Sequence, residues 1–184
     1  MKRLLPKETA IVIVDVQQKL AAAMPEAAMH ALCRNVDILL EAAKRLGAPV
    51  LATEQYAKGL GPTITNIREK LDALGVKAIE KMCFSACDDD AFVRALEATG
   101  AKNVVLAGME SHVCVFQTAR ALADRMPTWV LRDAVLSRTE DNRAAGLELC
   151  KAAGAQLTVT ETVVFDWLRE AGSDDFRALS KLIR

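Results

Sequence analysis

A cysteine at the start of a predicted helix is the side chain best placed to act as a nucleophile. Cys114 lies in residues 108–115, which follow the apolar run 104–107 and lead into a helical pattern over 115–123. Free N–H groups and the dipole at a helix start favour negative charge, so we expect this thiol to lose its proton more easily than an ordinary cysteine. A free cysteine is more often a small buried hydrophobe, so Cys114 needs supporting residues before it indicates a function.

Two other predicted strand ends carry charged side chains. Asp15 ends a run of β-branched residues that is typical of a strand buried on both faces of a parallel sheet. Lys81 ends a shorter apolar segment, residues 77–81. An aspartate at such a position is equally a helix or turn cap, and a lone lysine is usually solvated. A thiol nucleophile nevertheless needs a base and a group that stabilises its charge, and these two residue types supply them.

Three segments together resemble the isochorismatase-like cysteine hydrolase superfamily. They occur in the family's order, and the similarity continues to the sixth predicted strand. The matching segments are residues 14–17, 80–85 and 108–115, followed by 133–138 and 154–157. The resemblance implies a catalytic triad of Asp15, Lys81 and Cys114. It also implies a cis peptide bond between Met109 and Glu110, which would direct the backbone N–H groups of Glu110 and Cys114 towards one oxyanion.

The composition agrees with a soluble, globular enzyme of this kind. The chain has 184 residues, of which 52% are hydrophobic, so we expect one domain over residues 1–184. Basic and acidic residues are equal at 24 each, which argues against nucleic acid or an acidic membrane as a partner. No stretch approaches the roughly 20 apolar residues that cross a bilayer, and the first eight residues do not resemble a signal peptide. Five irregularly spaced cysteines indicate a reducing, cytoplasmic location.

Strand-like and helix-like patterns alternate along the chain without a linker. Besides the strands ending at Asp15 and Lys81, the pattern predicts strands at 49–53, 104–107, 127–132 and 156–160 and helices at 32–46, 88–100, 115–123, 137–154, 164–170 and 174–183. The aspartates 88–90 favour a helix start, and residues 137–140 have capping-box spacing, with Ser137 as the cap. Repeated βαβ units predict an α/β fold of three layers, α/β/α, with a mainly parallel sheet.

The family resemblance adds six strands in the order 3-2-1-4-5-6, a Rossmann-like isochorismatase fold. In that order the switch point lies between strands 1 and 4, where open α/β sheets tend to bind ligands. Asp15 ends strand 1 and Cys114 follows strand 4, so the topology predicts that they meet. Lys81 ends strand 3, and its long side chain must reach across the intervening strand.

Several residues are candidates to line a substrate pocket. The candidates are Gln17, the loop of residues 54–62 with Glu54 and Tyr56, Phe84 and His112, all on segments that follow predicted strands. Tyr56 and Phe84 are equally suited to packing in the core. His112 is better explained as a hydrogen-bonded residue at the helix start than as a second base, and Glu54 is equally a solvated charge.

The sequence departs from two branches of the resembled superfamily. Nicotinamidases carry a metal site built from an Asp and His residues between strands 2 and 3, whereas the only histidines here, His30 and His112, lie elsewhere. True isochorismatases lack the nucleophilic cysteine. We therefore predict a hydrolase without a metal or other cofactor, which cleaves a C–N bond of a small amide or ureido compound through a cysteine thioester. The resemblance further implies a homo-oligomer, either a dimer or a tetramer.

Two other classes of protein fit parts of the sequence. The chain could be a catalytically silent scaffold or interaction module, with the apolar residues 163–165 and 167–168 facing a partner, although core packing is the more ordinary explanation. It could also be a redox protein that uses Cys83 and Cys87. Their spacing is not Cys-x-x-Cys, so structural roles explain them better.

Overall fold

The computed structural model describes residues 3–183, in which six strands form one sheet. The strands are β1 (Thr9–Val14), β2 (Val50–Gln55), β3 (Ile79–Lys81), β4 (Asn103–Met109), β5 (Thr128–Leu136) and β6 (Gln156–Thr158). Their order is β3-β2-β1-β4-β5-β6, and every neighbouring pair is parallel. The predicted α/β fold and strand order are confirmed. Two residues of the start considered as a signal peptide, Met1 and Lys2, lie outside the described residues.

Helices cover both faces of the sheet. They are α1 (Gln18–Ala21), α2 (Glu26–Leu46), α3 (Ala57–Leu60), α4 (Thr65–Ala73), α5 (Asp90–Ala98), α6 (Phe116–Ala123), α7 (Glu140–Ala152), α8 (Thr160–Leu168) and α9 (Asp174–Ile183). One apolar core joins the sheet to α2, α4, α8 and α9, and a second core on the opposite face joins it to α5, α6 and α7. No helix within residues 3–183 combines the length and apolar character needed to cross a bilayer.

The central strand β1 shows how the apolar sequence builds both cores. Successive side chains of a strand point to opposite faces. Ile11 and Ile13 accordingly belong to the core against α2, while Ala10, Val12 and Val14 belong to the core against α5 and α6. Every residue of β1 is buried, as expected for a strand covered on both faces. Its carboxyl end can therefore place a polar side chain where water hardly reaches.

Some boundaries differ from the predicted ones. Helix α2 starts at Glu26, after Pro25, rather than at residue 32. Helix α4 was not predicted, because only Ile67 and Leu71 on one face of this short helix are buried. Strand β5 extends to Leu136, and β6 ends at Thr158 because α8 already begins at Thr160.

The helix caps correct one residue assignment. Asp89 caps α5 by accepting hydrogen bonds from the backbone N–H groups of Ala91 and Phe92, as the aspartate triplet predicted. Helix α7 is capped by Thr139, whose side chain accepts from the Asn142 N–H group at 3.2 Å. The prediction of Ser137 as this cap is therefore wrong. Ser137 is buried and makes other contacts, described below.

The apolar residues considered as a partner surface are mostly core. The four buried ones are Val163, Val164, Trp167 and Leu168. Phe165 is 39% exposed and packs edge-on against Phe176, with 6.2 Å between ring centroids. The interpretation as an interaction patch is wrong, because α8 turns the four buried side chains into the core that it shares with the sheet and α2.

Candidate active site

The strand order brings the ends of four strands together. Asp15 directly follows β1, the strand that lies between β2 and β4 in the sheet. Lys81 is the last residue of β3, which pairs with β2. Cys114 lies in a single π-helical turn, Ser111–Val115, which leads into α6. All three predicted triad residues therefore lie at the carboxyl edge of the sheet.

Asp15 and Lys81 form a buried ion pair. Lys81 Nζ lies 2.8 Å from Asp15 Oδ2, and neither side chain is exposed to solvent. The other carboxylate oxygen, Oδ1, accepts a hydrogen bond of 2.7 Å from the Thr53 hydroxyl. A carboxylate without partners would be costly at such a depth. The ammonium and the hydroxyl together satisfy both oxygens of Asp15.

The Lys81 ammonium is surrounded by acceptors. Besides Asp15, it donates to Gln55 Oε1 at 2.8 Å and to the backbone carbonyls of Cys83 and Phe84, both at 3.2 Å. An ammonium has three N–H donors, so these four acceptors use all of them. Lys81 therefore holds Asp15 in place rather than offering a free donor to a third group.

The backbone at the ends of β1 and β4 is unusually close. Asp15 has φ +51°, a left-handed conformation that few residues other than glycine adopt. Val14 pairs with Gly108, and a Cβ atom on Gly108 would lie 2.0 Å from the carbonyl oxygen of Val14. Only glycine permits this approach. The close contact places the turn that follows β4 beside Asp15.

Cys114 is buried next to the Asp15 carboxylate, with only 6% of the residue exposed. The pKa of Cys114 is raised to about 12, first by burial and then by the negative charge of Asp15, while Lys81 partly offsets these effects. Hydrogen bonding to Asp15 also raises the pKa of Cys114, because it favours the protonated sulfur. The prediction of an easily ionised thiol is therefore wrong, because burial beside an anion outweighs the helix start.

Backbone hydrogen bonds to one carbonyl hold the turn that carries Cys114. The peptide bond between Met109 and Glu110 is cis. The Glu110 carbonyl accepts hydrogen bonds from the N–H groups of Val113, at 3.0 Å, and Val115, at 3.1 Å. The Cys114 N–H group lies between these two along the chain.

The comparisons with known proteins agree with this architecture. The family model for the isochorismatase domain matches residues 9–162. The chain belongs to the isochorismatase family. A curated relative, the secreted isochorismatase effector Isc1 of Phytophthora sojae, is 35% identical over 186 residues, which cover 99% of this chain and 87% of that protein. Family membership supports hydrolase activity.

Solved structures of similar fold cover almost the whole chain. The MAR1 ribonuclease of Caenorhabditis elegans matches with a TM-score of 0.90 and 32% identity, covering 99% of this chain and 92% of that one. The YcaC gene product of Escherichia coli, described as an octameric hydrolase of unknown specificity, matches with a TM-score of 0.88 and 26% identity, covering 98% and 89%.

Two predicted pocket residues of this isochorismatase-family chain border the ion pair. Tyr56 is 45% exposed and Phe84 is 53% exposed, so the alternative of core packing is wrong for both. The Tyr56 N–H group donates to the Lys81 carbonyl at 2.9 Å, and the Phe84 carbonyl accepts from the Lys81 ammonium. Both aromatic residues therefore adjoin Lys81 at the edge of the sheet.

The other candidates make contacts within the protein. Gln17 is fully buried, and its amide donates to the carbonyls of Gln55 at 3.0 Å and Gly61 at 2.7 Å. Both amide hydrogens are thus used. His112 Nδ1 lies 2.9 Å from the Ser137 hydroxyl, as expected of a hydrogen-bonded residue at the helix start. Glu54 accepts two hydrogen bonds from Thr63, which is not the contact of a solvated charge.

Sequence reasoning missed several polar residues around the site. Thr53 lies near the end of β2, between the strands that carry Asp15 and Lys81, and a polar side chain near the end of an apolar strand was the available signal. Gln55, which belongs to the predicted pocket loop, ends the same strand and accepts a hydrogen bond from Lys81. Ser137 and Arg138 follow β5 and contact the turn after β4. Within residues 3–183, no three side chains of His, Cys, Asp or Glu are grouped so that they could hold a metal ion.

Proposed function

We propose that this protein is a cysteine hydrolase that cleaves a C–N bond of a small amide or ureido compound. The observation that carries the proposal is the buried Asp15 carboxylate, held by Lys81 and Thr53 and adjacent to the Cys114 thiol. A thiol with a raised pKa is a weak nucleophile until a base removes its proton. We assign the role of that base to Asp15.

The first half of the reaction forms a thioester. As the Cys114 sulfur attacks the substrate carbonyl carbon, Asp15 takes the thiol proton. The developing oxyanion accepts hydrogen bonds from the backbone N–H groups of Glu110 and Cys114. The tetrahedral intermediate then collapses: the C–N bond breaks, and Asp15 transfers its proton to the leaving nitrogen.

The second half releases the product. Asp15 takes a proton from a water molecule, which attacks the thioester carbonyl carbon. The C–S bond then breaks, and the proton returns from Asp15 to the sulfur. Lys81 keeps Asp15 in position through both halves of the reaction, because its ammonium donates to Asp15 and is itself held by Gln55 and two backbone carbonyls.

The surroundings of Cys114 indicate the size and character of the substrate. Only 6% of Cys114 is exposed, so the reacting carbonyl must belong to a small or slender molecule. Tyr56 and Phe84 offer exposed aromatic surface at the same edge, next to Lys81. We place the remainder of the substrate against these rings. Gln17, with both amide hydrogens used, positions the neighbouring loop, and His112 is a helix-start residue near the pocket.

A homo-oligomer is part of the proposal. The E. coli YcaC gene product, with 26% identity to this chain, is described as an octameric hydrolase. Sedimentation of the purified protein would test self-association. A cytoplasmic location stays a prediction from cysteine usage.

The proposed activity is tested by screening small primary amides and ureas and measuring released ammonia. The wild-type protein should hydrolyse at least one compound, and Cys114→Ala should be inactive although folded. Cys33→Ala, which changes a half-buried cysteine on α2, is the matched control and should keep full activity. Activity of Cys114→Ala would overturn the mechanism. If the wild-type protein hydrolyses none of these compounds, the result would favour a catalytically silent scaffold. Because one similar structure is described as a ribonuclease, RNA is tested as well, and RNA cleavage that requires Cys114 would show that the substrate is not an amide.

A further inference from the structure

The residues that immediately follow β5 hold the turn that precedes Cys114. Three consecutive side chains of that turn, those of Glu110, Ser111 and His112, all contact Ser137 or Arg138. The two segments are more than 20 residues apart in the chain, and they meet because β4 pairs with β5. We call residues Glu110–His112 the oxyanion turn, since Glu110 supplies one of the two proposed oxyanion donors.

Arg138 fixes the side chain of Glu110. Its guanidinium Nε lies 3.1 Å from Glu110 Oε1, and its backbone N–H group approaches the same oxygen at 3.4 Å. The Glu110 side chain is 11% exposed, whereas that of Arg138 is 58% exposed. A pair this open to solvent adds little to stability, about 0–1 kcal/mol. The effect of the pair is instead to restrict the Glu110 side chain, because Arg138 donates two hydrogen bonds to it.

Ser137 fixes the next two residues. Its hydroxyl lies 2.6 Å from the Ser111 hydroxyl and 2.9 Å from His112 Nδ1. Ser111 and Ser137 are both buried, so water does not compete for these bonds. A hydroxyl can donate once and accept as well, so one Ser137 side chain can satisfy both neighbours.

Helix α7 closes the other side of the turn. A Cβ atom on Gly146 would lie 2.5 Å from the Ser111 carbonyl carbon and 2.5 Å from the His112 nitrogen. The helix backbone therefore lies directly against the turn. The α7 backbone at Gly146 contacts one side of the turn, and Ser137 forms hydrogen bonds with side chains on the other side. We therefore expect the turn to move little.

We propose that Ser137 and Arg138 are positioning residues, which hold the oxyanion turn so that the N–H groups of Glu110 and Cys114 converge on one oxygen atom. The inference rests on the proposed function for the identity of these donors. It goes beyond that function because neither residue belongs to the triad, and Ser137 was expected to be a helix cap. Displacement of a reacting group by about 1 Å can cost roughly 100-fold in rate, so small movements of this turn matter.

Acrylamide is a suitable probe, because it is a small amide that forms one bond with a thiol. The Cys114 sulfur adds to the terminal alkene carbon, negative charge develops on the amide oxygen, and the thiol proton passes through Asp15 to the neighbouring carbon. No other reactant is needed. Mass spectrometry of peptides gives the labelling rate of Cys114, and the half-buried Cys83 in the same sample serves as an internal control.

Ser137→Ala and Arg138→Gln should lower the maximal labelling rate of Cys114 roughly 10- to 100-fold and change the half-saturating acrylamide concentration little. Cys83 labelling should not change. Arg138→Lys, which keeps the charge and the backbone N–H group, should restore part of the rate. Arg132→Gln alters an exposed arginine on β5 itself and should behave as wild type. A purely structural role for Ser137 and Arg138 would leave the maximal rate intact in folded variants.

Hydrogen–deuterium exchange separates this inference from the proposed function. In Ser137→Ala, amides in residues 108–116 should exchange faster while those of β1 stay protected. Unchanged exchange and unchanged Cys114 labelling would overturn the positioning role. If wild-type protein hydrolyses no amide yet Ser137→Ala loosens these residues and slows Cys114 labelling, only the proposed reaction fails. Local loosening without any effect on labelling would also overturn the inference.

Discussion

Replacing Lys81 with methionine should destabilise the protein strongly. The change keeps an unbranched side chain, one heavy atom shorter, but removes the ammonium that lies 2.8 Å from Asp15, where neither side chain is exposed. Removing one partner of a buried ion pair leaves the other charge without compensation and typically costs about 3–5 kcal/mol. Thr53 still donates to Asp15 but cannot supply a charge. We expect the free energy of unfolding to fall by about that amount.

A surface pair provides the matched control. Lys102 Nζ lies 2.6 Å from Glu8 Oε1, a shorter distance than in the buried pair, but the side chains are 69% and 37% exposed. Exposed pairs contribute about 0–1 kcal/mol, so Lys102→Met should change stability by less than about 1 kcal/mol. The contrast between two lysine-to-methionine changes isolates burial as the cause.

A double-mutant cycle completes the test. Asp15→Asn combined with Lys81→Met leaves neither charge in the site, so the double variant should lose less stability than the sum of the single losses, by about 1–3 kcal/mol. Urea unfolding followed by circular dichroism gives each free energy, provided that the slopes agree. Additive losses, or a Lys81→Met loss no larger than that of Lys102→Met, would refute the buried pair as the support of Asp15.

Three further outcomes are expected. Thr53→Val removes the hydroxyl that donates to Asp15 at 2.7 Å, so urea unfolding should show a loss of about 1–3 kcal/mol, and a loss near zero would contradict this contact. Burial raises the pKa of Cys150 from 9.0 to about 12. The protonated thiol therefore contributes fully to the stability of the folded protein below about pH 9, and this contribution is lost as the pH rises towards 12. Between about pH 8 and about pH 10.5, wild type should lose about 2 kcal/mol more stability than Cys150→Ala, and parallel pH profiles would be inconsistent with the raised pKa. Gly108→Ala would place a Cβ 2.0 Å from a backbone oxygen of β1, so we expect a loss of about 3 kcal/mol or more, and a well-folded variant of wild-type stability would contradict the close approach.

The arrangement of the strands could be predicted from the sequence because it depends on patterns that extend over many residues. Buried β-branched runs alternate with helical spacing, and the family resemblance supplies the order of the strands. The meeting of Asp15, Lys81 and Cys114 at one edge follows from that order. The short helix α4 escaped prediction because only two of its side chains enter the core.

The electrostatic state of the site could not be predicted in the same way. The position of Cys114 at a helix start indicated a lowered pKa, but burial beside Asp15 has the opposite effect and is larger. Neither depth nor the distance to an anion can be obtained from local spacing. Ser137 shows the same limit, because its spacing fits a capping box while its hydroxyl contacts residues 111 and 112.

The central claim is that Asp15 removes the proton of Cys114, and the labelling of Cys114 by acrylamide near pH 7 tests it most directly. The negative charge of Asp15 also raises the pKa of the thiol, so the two roles have opposite consequences in Asp15→Asn. If Asp15 is the base, its replacement should slow labelling by at least about 100-fold, while labelling of the half-buried Cys33 on α2 is unchanged. If Asp15 acts only as a neighbouring charge, its loss lowers the pKa and speeds labelling. Labelling of Cys114 in Asp15→Asn that is as fast as in wild type, or faster, would contradict the proposed mechanism.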